Sequence, residues 1–246
     1  MIKDKKMFKK MLVKKVAVGL ILFGTGLFSA VSQGAIIASY DAEVSVEVSS
    51  TFESNEFETV LCCNNVYTEG SASGNASGSG DAGPFFSGPG VLGTLSAAAN
   101  GEVTGDNSYV DSSWATDGYL FIENTTNSAI TGDVKFDISL FASIFTDNIY
   151  AEAFAGAYIY IENRDFDVIF DDFIEFDSFF DGLGTFDLAQ TFTVDVKDLT
   201  IAAGDFEEYL IVIDAIGVAA VPEPGGVFLA GLALLLAVRK RRTSLK

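Results

Sequence analysis

The sequence DVKFDISL, at residues 133–140, indicates the fold class most directly. Its apolar and polar side chains alternate one by one: Val134, Phe136, Ile138 and Leu140 are separated by Lys135, Asp137 and Ser139. Successive side chains of a β-strand point to opposite faces, so this alternation is typical of a strand that is buried on one face only. The stretch therefore predicts a strand with one face against a core and the other in solvent.

The same period of two recurs outward from this stretch in both directions. It is clear at residues 43–49 and 191–197, and residues 209–214 are expected to form a last strand with Tyr209, Ile211 and Ile213 inward and Asp214 on the other face. Further strands are expected at residues 119–123, 157–162 and 167–176. No long stretch between residues 35 and 221 has a 3.6-residue apolar stripe. The pattern predicts an all-β domain, an antiparallel β-sandwich of the jelly-roll or immunoglobulin-like kind.

A segment rich in glycine and serine interrupts this pattern at residues 69–90, which read EGSASGNASGSGDAGPFFSGPG. Fixing a glycine costs more conformational entropy than fixing any other residue. We expect a flexible loop here. It is either a long hairpin connection or a linker after a short N-terminal pair of strands, and both alternatives stay open.

The N-terminus has the three parts of a secretory signal. Seven lysines lie between Lys3 and Lys15, an apolar run covers residues 16–28, and small residues follow. This order predicts a signal peptide over residues 1–34, handled by the Sec translocon and signal peptidase, with cleavage after Ser32 or Gly34. A non-cleaved N-terminal anchor is the alternative.

The C-terminus forms a second separate unit over residues 222–246. Pro222-Glu223-Pro224 is followed by an apolar run at residues 225–238 and by a basic tail, residues 239–246, that begins Arg239-Lys240-Arg241-Arg242. Proline lacks an amide donor and disfavours helix in the residue before it, so no helix can continue unbroken from the domain into the apolar run. As a helix, 14 residues would extend about 21 Å, which is short against a hydrocarbon core of about 30 Å. The basic cluster would stay on the cytoplasmic side as a stop-transfer signal.

This order of elements resembles the PEP-CTERM sorting signal of exported proteins in Gram-negative bacteria. The resemblance covers about a tenth of the chain. It implies recognition of Pro222, Glu223 and Pro224 by an exosortase-type membrane protease, a transient inner-membrane intermediate held by a transmembrane helix at residues 225–238, and delivery to the cell surface or extracellular matrix. It also implies a host that makes exopolysaccharide and biofilm. An ordinary tail anchor is the alternative.

The region between the two ends carries a larger negative charge than the whole chain, whose net charge is −19. Of the 15 basic residues, seven lie in residues 1–34 and five in residues 222–246, which leaves only Lys135, Arg164 and Lys197. The same region keeps 32 of the 34 acidic residues, so its net charge is near −29. A field of this sign repels nucleic acid and anionic membrane surfaces. We expect no nucleic-acid partner; divalent cations, basic proteins and amino sugars fit better.

Few residue types here can support catalysis. Histidine is absent, which excludes Ser-His-Asp and Cys-His arrangements and histidine-ligated metals. With so many carboxylates, a close pair of the glycosidase kind would arise by chance. Cys62 and Cys63 are the only cysteines, and an exported location allows them to form a vicinal disulfide or cross-links between chains, or to act as two small buried hydrophobic residues. We expect no enzymatic activity.

The acidic segment, which we define as residues 165–187 (DFDVIFDDFIEFDSFFDGLGTFD), mixes phenylalanine with carboxylates. Calcium takes six to eight oxygen ligands, and the candidates for such a site are Asp171, Asp172, Asp177 and Asp181. The spacing does not fit an EF-hand loop. The alternative is one or two strands with phenylalanine inward and aspartate in solvent.

These observations lead to three hypotheses. The first is a structural or interaction protein of the surface or matrix, associated with exopolysaccharide through cations, hydrogen bonds to sugars or self-assembly. The second is a carbohydrate-binding β-sandwich module, which needs an exposed aromatic platform; its candidates are Trp114, Tyr119, Tyr158 and Tyr160. The third is a secreted hydrolase, which needs a deep cleft with two carboxylates.

Overall fold

The computed structural model describes residues 36–80 and 85–222 of the 246-residue chain. All described residues fall within one compact unit. They form eleven strands and one short helix: β1 (Ala38–Ser50), β2 (Asn55–Glu69), β3 (Ala72–Ser79), β4 (Phe85–Ser87), β5 (Gly90–Val103), β6 (Ser108–Glu123), β7 (Ile130–Thr146), β8 (Glu152–Asn163), β9 (Val168–Asp177), α1 (Ser178–Asp181), β10 (Gly184–Ile201) and β11 (Phe206–Val221).

The strands build two antiparallel sheets. The five-stranded sheet has the order β10-β7-β1-β5-β3, and the six-stranded sheet has the order β4-β2-β6-β11-β8-β9. Strands that are consecutive in sequence usually lie in different sheets, so neighbours within one sheet are not consecutive in sequence. β1 and β7, for example, are paired in the five-stranded sheet although they are far apart in sequence. The prediction of an all-β fold with antiparallel sheets is confirmed.

The alternating segments explain why these strands form. In β1 the side chains of Val44, Val46 and Val48 are buried, and the polar residues between them face solvent. The opening stretch, residues 133–140, lies in β7, where its four apolar side chains are buried against the other sheet. The strands expected at residues 43–49, 119–123, 133–140, 157–162, 167–176, 191–197 and 209–214 are all present, most of them longer than the pattern indicated.

The core between the sheets relies on close approach as well as on large side chains. Tyr40 of β1 is buried, and its hydroxyl lies 2.8 Å from the hydroxyl of Ser112 on β6. Its ring lies against Gly217 of β11, where an added Cβ would overlap the ring. A side chain at position 217 would therefore separate the two sheets at their centre.

The expectation of a flexible loop, as a hairpin connection or as a linker, is wrong for residues 72–79, and residues 81–84 of the same segment lie outside the described residues. Residues 72–79 form β3, which pairs with β5 in an unbroken register that places Asn75 opposite Asn100. Small residues are required here because β3 lies over Trp114: a Cβ at Gly78 would overlap the indole ring. The contact with Trp114 offsets the conformational entropy lost when these glycines are fixed. The sequence prediction considered only that entropy cost.

The two ends of the chain lie outside the described residues, apart from Pro222. The predicted signal peptide, the apolar run at residues 225–238 and the basic tail all lie outside the described residues. Within residues 36–80 and 85–222, the structure contains no helix that is long and apolar enough to cross a membrane.

Candidate functional site

The outer faces of the two sheets differ in chemistry. On the five-stranded sheet the outward side chains are mainly hydroxyl, amide and carboxylate groups, among them Glu43, Ser45, Glu47, Ser96, Asn100, Asp137, Ser139, Thr191 and Thr193. On the six-stranded sheet they are half-buried aromatic and aliphatic groups with carboxylates between them, among them Tyr119, Phe121, Phe154, Tyr158, Tyr160, Leu210, Val212, Ile216 and Val218. The second face, which we call the aromatic face, is the candidate site.

Carboxylates in the middle of the aromatic face are held in a poorly solvated setting. Asp214 of β11 lies between Ala115 and Tyr158 of the neighbouring strands, and burial raises its pKa from 3.8 to about 6. Burial also raises the pKa of Asp117 on β6. Few cations are available to compensate, because the three basic residues of this region lie on the other sheet or in the β8–β9 turn. The face is therefore acidic and partly apolar at once.

A shallow depression of about 300 Å³ lies on this face across β2, β6 and β11. Tyr119 and Phe121 form its floor, Glu58 lies opposite Tyr119, and Glu56 and Glu208 lie on either side of Phe121. Burial and then the nearby carboxylates raise the pKa of Tyr119. Ring faces beside carboxylates suit a ligand with an apolar face and hydroxyl or amine donors.

The edge of this depression is fixed by the β8–β9 turn. The ring of Phe206 lies 5.0 Å from that of Phe121, and the Arg164 guanidinium lies 4.5 Å above the Phe206 ring. Arg164 also donates hydrogen bonds to the Asp205 carboxylate at 2.7 Å and to the Phe206 carbonyl at 2.5 Å. One arginine thus joins the turn to the start of β11.

The aromatic platform with Trp114 that a carbohydrate module would need is not formed. Trp114 is half-buried between the sheets, packs against the core and donates from its indole nitrogen to the Thr116 hydroxyl at 2.8 Å. Tyr119, Tyr158 and Tyr160 do lie on the aromatic face. Tyr158 stacks on Phe173 with a centroid distance of 5.9 Å.

The structure joins Cys62 and Cys63 by a disulfide within β2. The two residues coincide with a register shift between Leu61 and Asn64 in the pairing of β2 with β6. Both cysteines are exposed, so they are not the small buried residues that the sequence left open.

The four candidate calcium ligands are spread over two places. Asp171 and Asp172 are consecutive in β9 and therefore point to opposite faces. Asp177 is the N-cap of α1 and Asp181 is the last residue of that helix, and the Asp181 carboxylate accepts from the Asp177 amide at 2.9 Å. Among the described residues, no group of three or more His, Cys, Asp or Glu side chains is arranged to hold a metal ion. The phenylalanines divide, with Phe170 and Phe176 inward against β10 and Phe173, Phe179 and Phe180 exposed.

Of the sorting-signal residues, only Pro222 lies in the described part of the chain. It is half-buried directly after the end of β11 at Val221. Glu223, Pro224 and the cluster Arg239, Lys240, Arg241 and Arg242 lie outside the described residues.

Sequence reasoning did not select Phe121, Glu56, Glu58 or Glu208. Phe121 lies in a segment that the pattern predicted as a strand, whereas Glu56, Glu58 and Glu208 lie outside all the predicted strands. Their convergence depends on β2 and β11 both pairing with β6, and this pairing cannot be read from any one strand.

Comparison with known proteins adds little. No family model and no curated protein matches the chain. A solved structure from Bacteroides fragilis, described as a "putative beta-galactosidase", is 12% identical over 69% of this chain and 29% of that chain, with a TM-score of 0.17. The chain spans less than a third of that protein, and a similarity this low supports no argument about fold or function.

Proposed function

We propose that the chain is an exported structural or interaction protein of the cell surface or extracellular matrix in a Gram-negative bacterium. Its signal peptide directs it through the Sec translocon, and its C-terminal Pro-Glu-Pro signal is recognised by an exosortase-type system. The body then associates with exopolysaccharide or a similar matrix. The sequence of the two ends supports the sorting part of this proposal.

The observation that carries the proposal is the place where the body ends. β11 lies between β6 and β8 in the six-stranded sheet and finishes at Val221, and Pro222 follows at once. Proline cannot donate to a sheet ladder, so pairing stops at the first residue of the signal. The last strand of the described body is therefore paired up to Val221, the residue directly before the proposed signal.

The pairing of the strands supports the jelly-roll form of the sandwich over the immunoglobulin-like form. β8 pairs with β9, β7 with β10 and β6 with β11, which is a nested set, and successive pairs alternate between the sheets. A long antiparallel ribbon wrapped around a core produces this nesting. If the nesting continued, β5 would pair with a strand that follows β11. β1 occupies that position and pairs with β5.

The five-stranded sheet supports the matrix part of the proposal. Its outer face presents rows of hydroxyl and carboxylate groups, such as the Thr193 hydroxyl that donates to Asp137 at 2.7 Å. Such groups exchange hydrogen bonds with sugar hydroxyls and attract divalent cations without a dedicated pocket.

The sorting proposal is tested by replacing Pro222 and Pro224 with alanine in the native host. We expect the variant to be retained in the inner membrane because the apolar run and basic cluster remain while the signal is lost. Deleting residues 222–246 should instead release soluble protein. Pro89→Ala, at an exposed proline of the body, is the control. Surface delivery of the Pro222/Pro224 variant at the wild-type level, measured by fractionation and immunoblotting, would refute the sorting role.

The depression on the aromatic face favours a second function, a carbohydrate-binding module. Its two rings and three carboxylates suit an amino sugar, which offers an apolar ring face and a cation. Calorimetry with chitosan oligosaccharides should show binding that Tyr119→Ala abolishes and Phe179→Ala, at an exposed ring of α1, leaves unchanged. Binding that Tyr119→Ala does not weaken would exclude this site.

A further inference from the structure

One edge of the six-stranded sheet is incompletely paired. β2 pairs with β6 along its whole length on one side, whereas β4 covers only Asn55–Phe57 on the other. From residue 64 to residue 68, the second edge of β2 has no strand partner in the described part of the chain. Backbone N–H and C=O groups that point to this side are open to another strand.

The side chains of this open edge are unusual for this protein. Residues 60–68 read VLCCNNVYT and contain no charge, although the region between the two ends of the chain has a net charge near −29. Val60, Leu61, Val66 and Tyr67 are between 44% and 51% exposed. Uncharged, β-branched and aromatic residues without proline are typical of segments that pair with other strands.

The other edges are protected. β4 has three residues, and β9 and β10 contain several carboxylates. β10 also has a register shift near its end, where Asp198 has a positive φ of 54°. β3 is uncharged, but it consists of alanine, glycine, serine and asparagine and offers no large apolar side chain. Short strands, charges and bulges are the usual means of blocking edge-to-edge association, and β2 from residue 64 to residue 68 has none of them.

We propose that this edge of β2 pairs with the same edge of a second copy of the chain, in antiparallel orientation about a two-fold axis near Val66. The pairing would place Val66 opposite Val66 and Asn64 opposite Thr68. The bulge at Cys62 and Cys63 limits it to residues 64–68, since the ladder is interrupted there.

Charge is the reason for choosing a second copy as the partner. Two copies repel each other wherever their carboxylates meet, and a segment of nine uncharged residues lets them approach. An isologous contact also needs a surface that is complementary to itself, which a neutral antiparallel strand provides. The repulsion between the remaining surfaces is long-range, so salt strengthens the association.

This inference rests on the proposed function because it names one interaction partner of the exported body, a second copy of the same chain. The test is independent of export. The exported chain is extracted from its host in mild detergent, and its mass is measured by light scattering over a range of concentrations at low and high salt. The variants are Val66→Lys, Asn65→Lys and Val91→Lys, the last being an exposed valine near the start of β5 that adds the same charge away from the edge.

We expect a concentration-dependent dimer that salt strengthens. Val66→Lys places two lysines opposite each other and should weaken the dimer at least about tenfold. Asn65→Lys should also weaken it, whereas Val91→Lys should not. All three positions are exposed, and unchanged melting curves would show that the fold is intact.

A monomer at every concentration, or a dimer that Val66→Lys and Val91→Lys affect equally, would overturn the inference. A monomer that still reaches the surface would leave the proposed function in place. A dimer in a chain that is never exported would refute the proposed function and not the pairing.

Discussion

Replacing Asp214 with asparagine is expected to stabilise the folded body at neutral pH. The carboxyl lies on the central strand of the aromatic face, half-buried between Ala115 and Tyr158, and no described residue forms a hydrogen bond or ion pair with it. On the adjoining strands β6 and β8, the titratable side chains next to it in the register are Tyr158, opposite Asp214, and Asp117 and Tyr160, both opposite Val212. The Tyr158 hydroxyl donates to Glu175 of β9 at 3.3 Å. None of these groups supplies a positive charge. Ionising Asp214 therefore opposes folding.

The size of this stabilisation and its dependence on pH follow from the raised pKa of Asp214. Burial raises the pKa of Asp214 from 3.8 to about 6, a difference of about 3 kcal/mol in the free energy of unfolding. Below pH 3.8 the group is protonated in both states and costs nothing. Between pH 3.8 and about 6 only the unfolded state ionises, so stability is lost as the pH rises, and above about 6 the loss is complete.

The assay is urea unfolding of the wild type and of Asp214→Asn from pH 4 to pH 8. The difference between them should be small at pH 4 and grow to about 2–3 kcal/mol above pH 6.5. Asp137→Asn is the control, because Lys135 and Thr193 lower the pKa of Asp137 and its removal should give no gain at neutral pH. A gain for Asp214→Asn that does not vary with pH, or one below about 1 kcal/mol at pH 7, would refute the reasoning.

Three further predictions concern stability. Gly217→Ala should cost about 1–3 kcal/mol because the new Cβ overlaps the Tyr40 ring, whereas Gly88→Ala, with open space around it, should be neutral in the same unfolding assay. Asn124→Ala should lower the free energy of unfolding by at least about 2 kcal/mol, since the buried side-chain amide donates to three backbone carbonyls at 2.8–2.9 Å. The control Asn127→Ala, at an exposed position, should cost little, and an equal cost at both positions would contradict the structural role of Asn124. Millimolar calcium should not raise the melting temperature more than sodium chloride of equal ionic strength, because the carboxylates of the acidic segment are not gathered into one group; a specific rise would show that they rearrange around the ion.

The segments that the sequence predicted well share one property. Residues 43–49, 133–140 and 191–197 alternate strictly between apolar and polar side chains, and only a strand with one buried face places all the apolar side chains on the same side. The sequence prediction missed β2, β3, β4 and β5. In β3 and β5, alanine, glycine and serine contribute little to an apolar period. Their strand geometry comes from partners in the sheet and from the ring of Trp114, which needs a glycine opposite it.

The candidate site was predicted only in part. Tyr119, Tyr158 and Tyr160 were recognised as aromatic candidates, and the structure places all three on the aromatic face. Trp114 was grouped with them, but a side chain one position out of phase faces the core instead. The carboxylates of the depression come from β2 and β11, and no local pattern shows that these strands are both neighbours of β6.

The amino-acid sequence alone determined the all-β class, the strongly acidic character of the region between the two ends and the apolar and basic composition of those ends. These properties depend on which residues are present and on their spacing along one strand, so they can be read without knowing any contact. The tertiary structure alone showed that β1 pairs with β5, that residues 72–79 are a strand and that residues 64–68 of β2 have one edge without a strand partner in the described part of the chain. Each of these depends on pairing between distant segments, and the free energy of such pairing lies in contacts that a linear pattern does not contain.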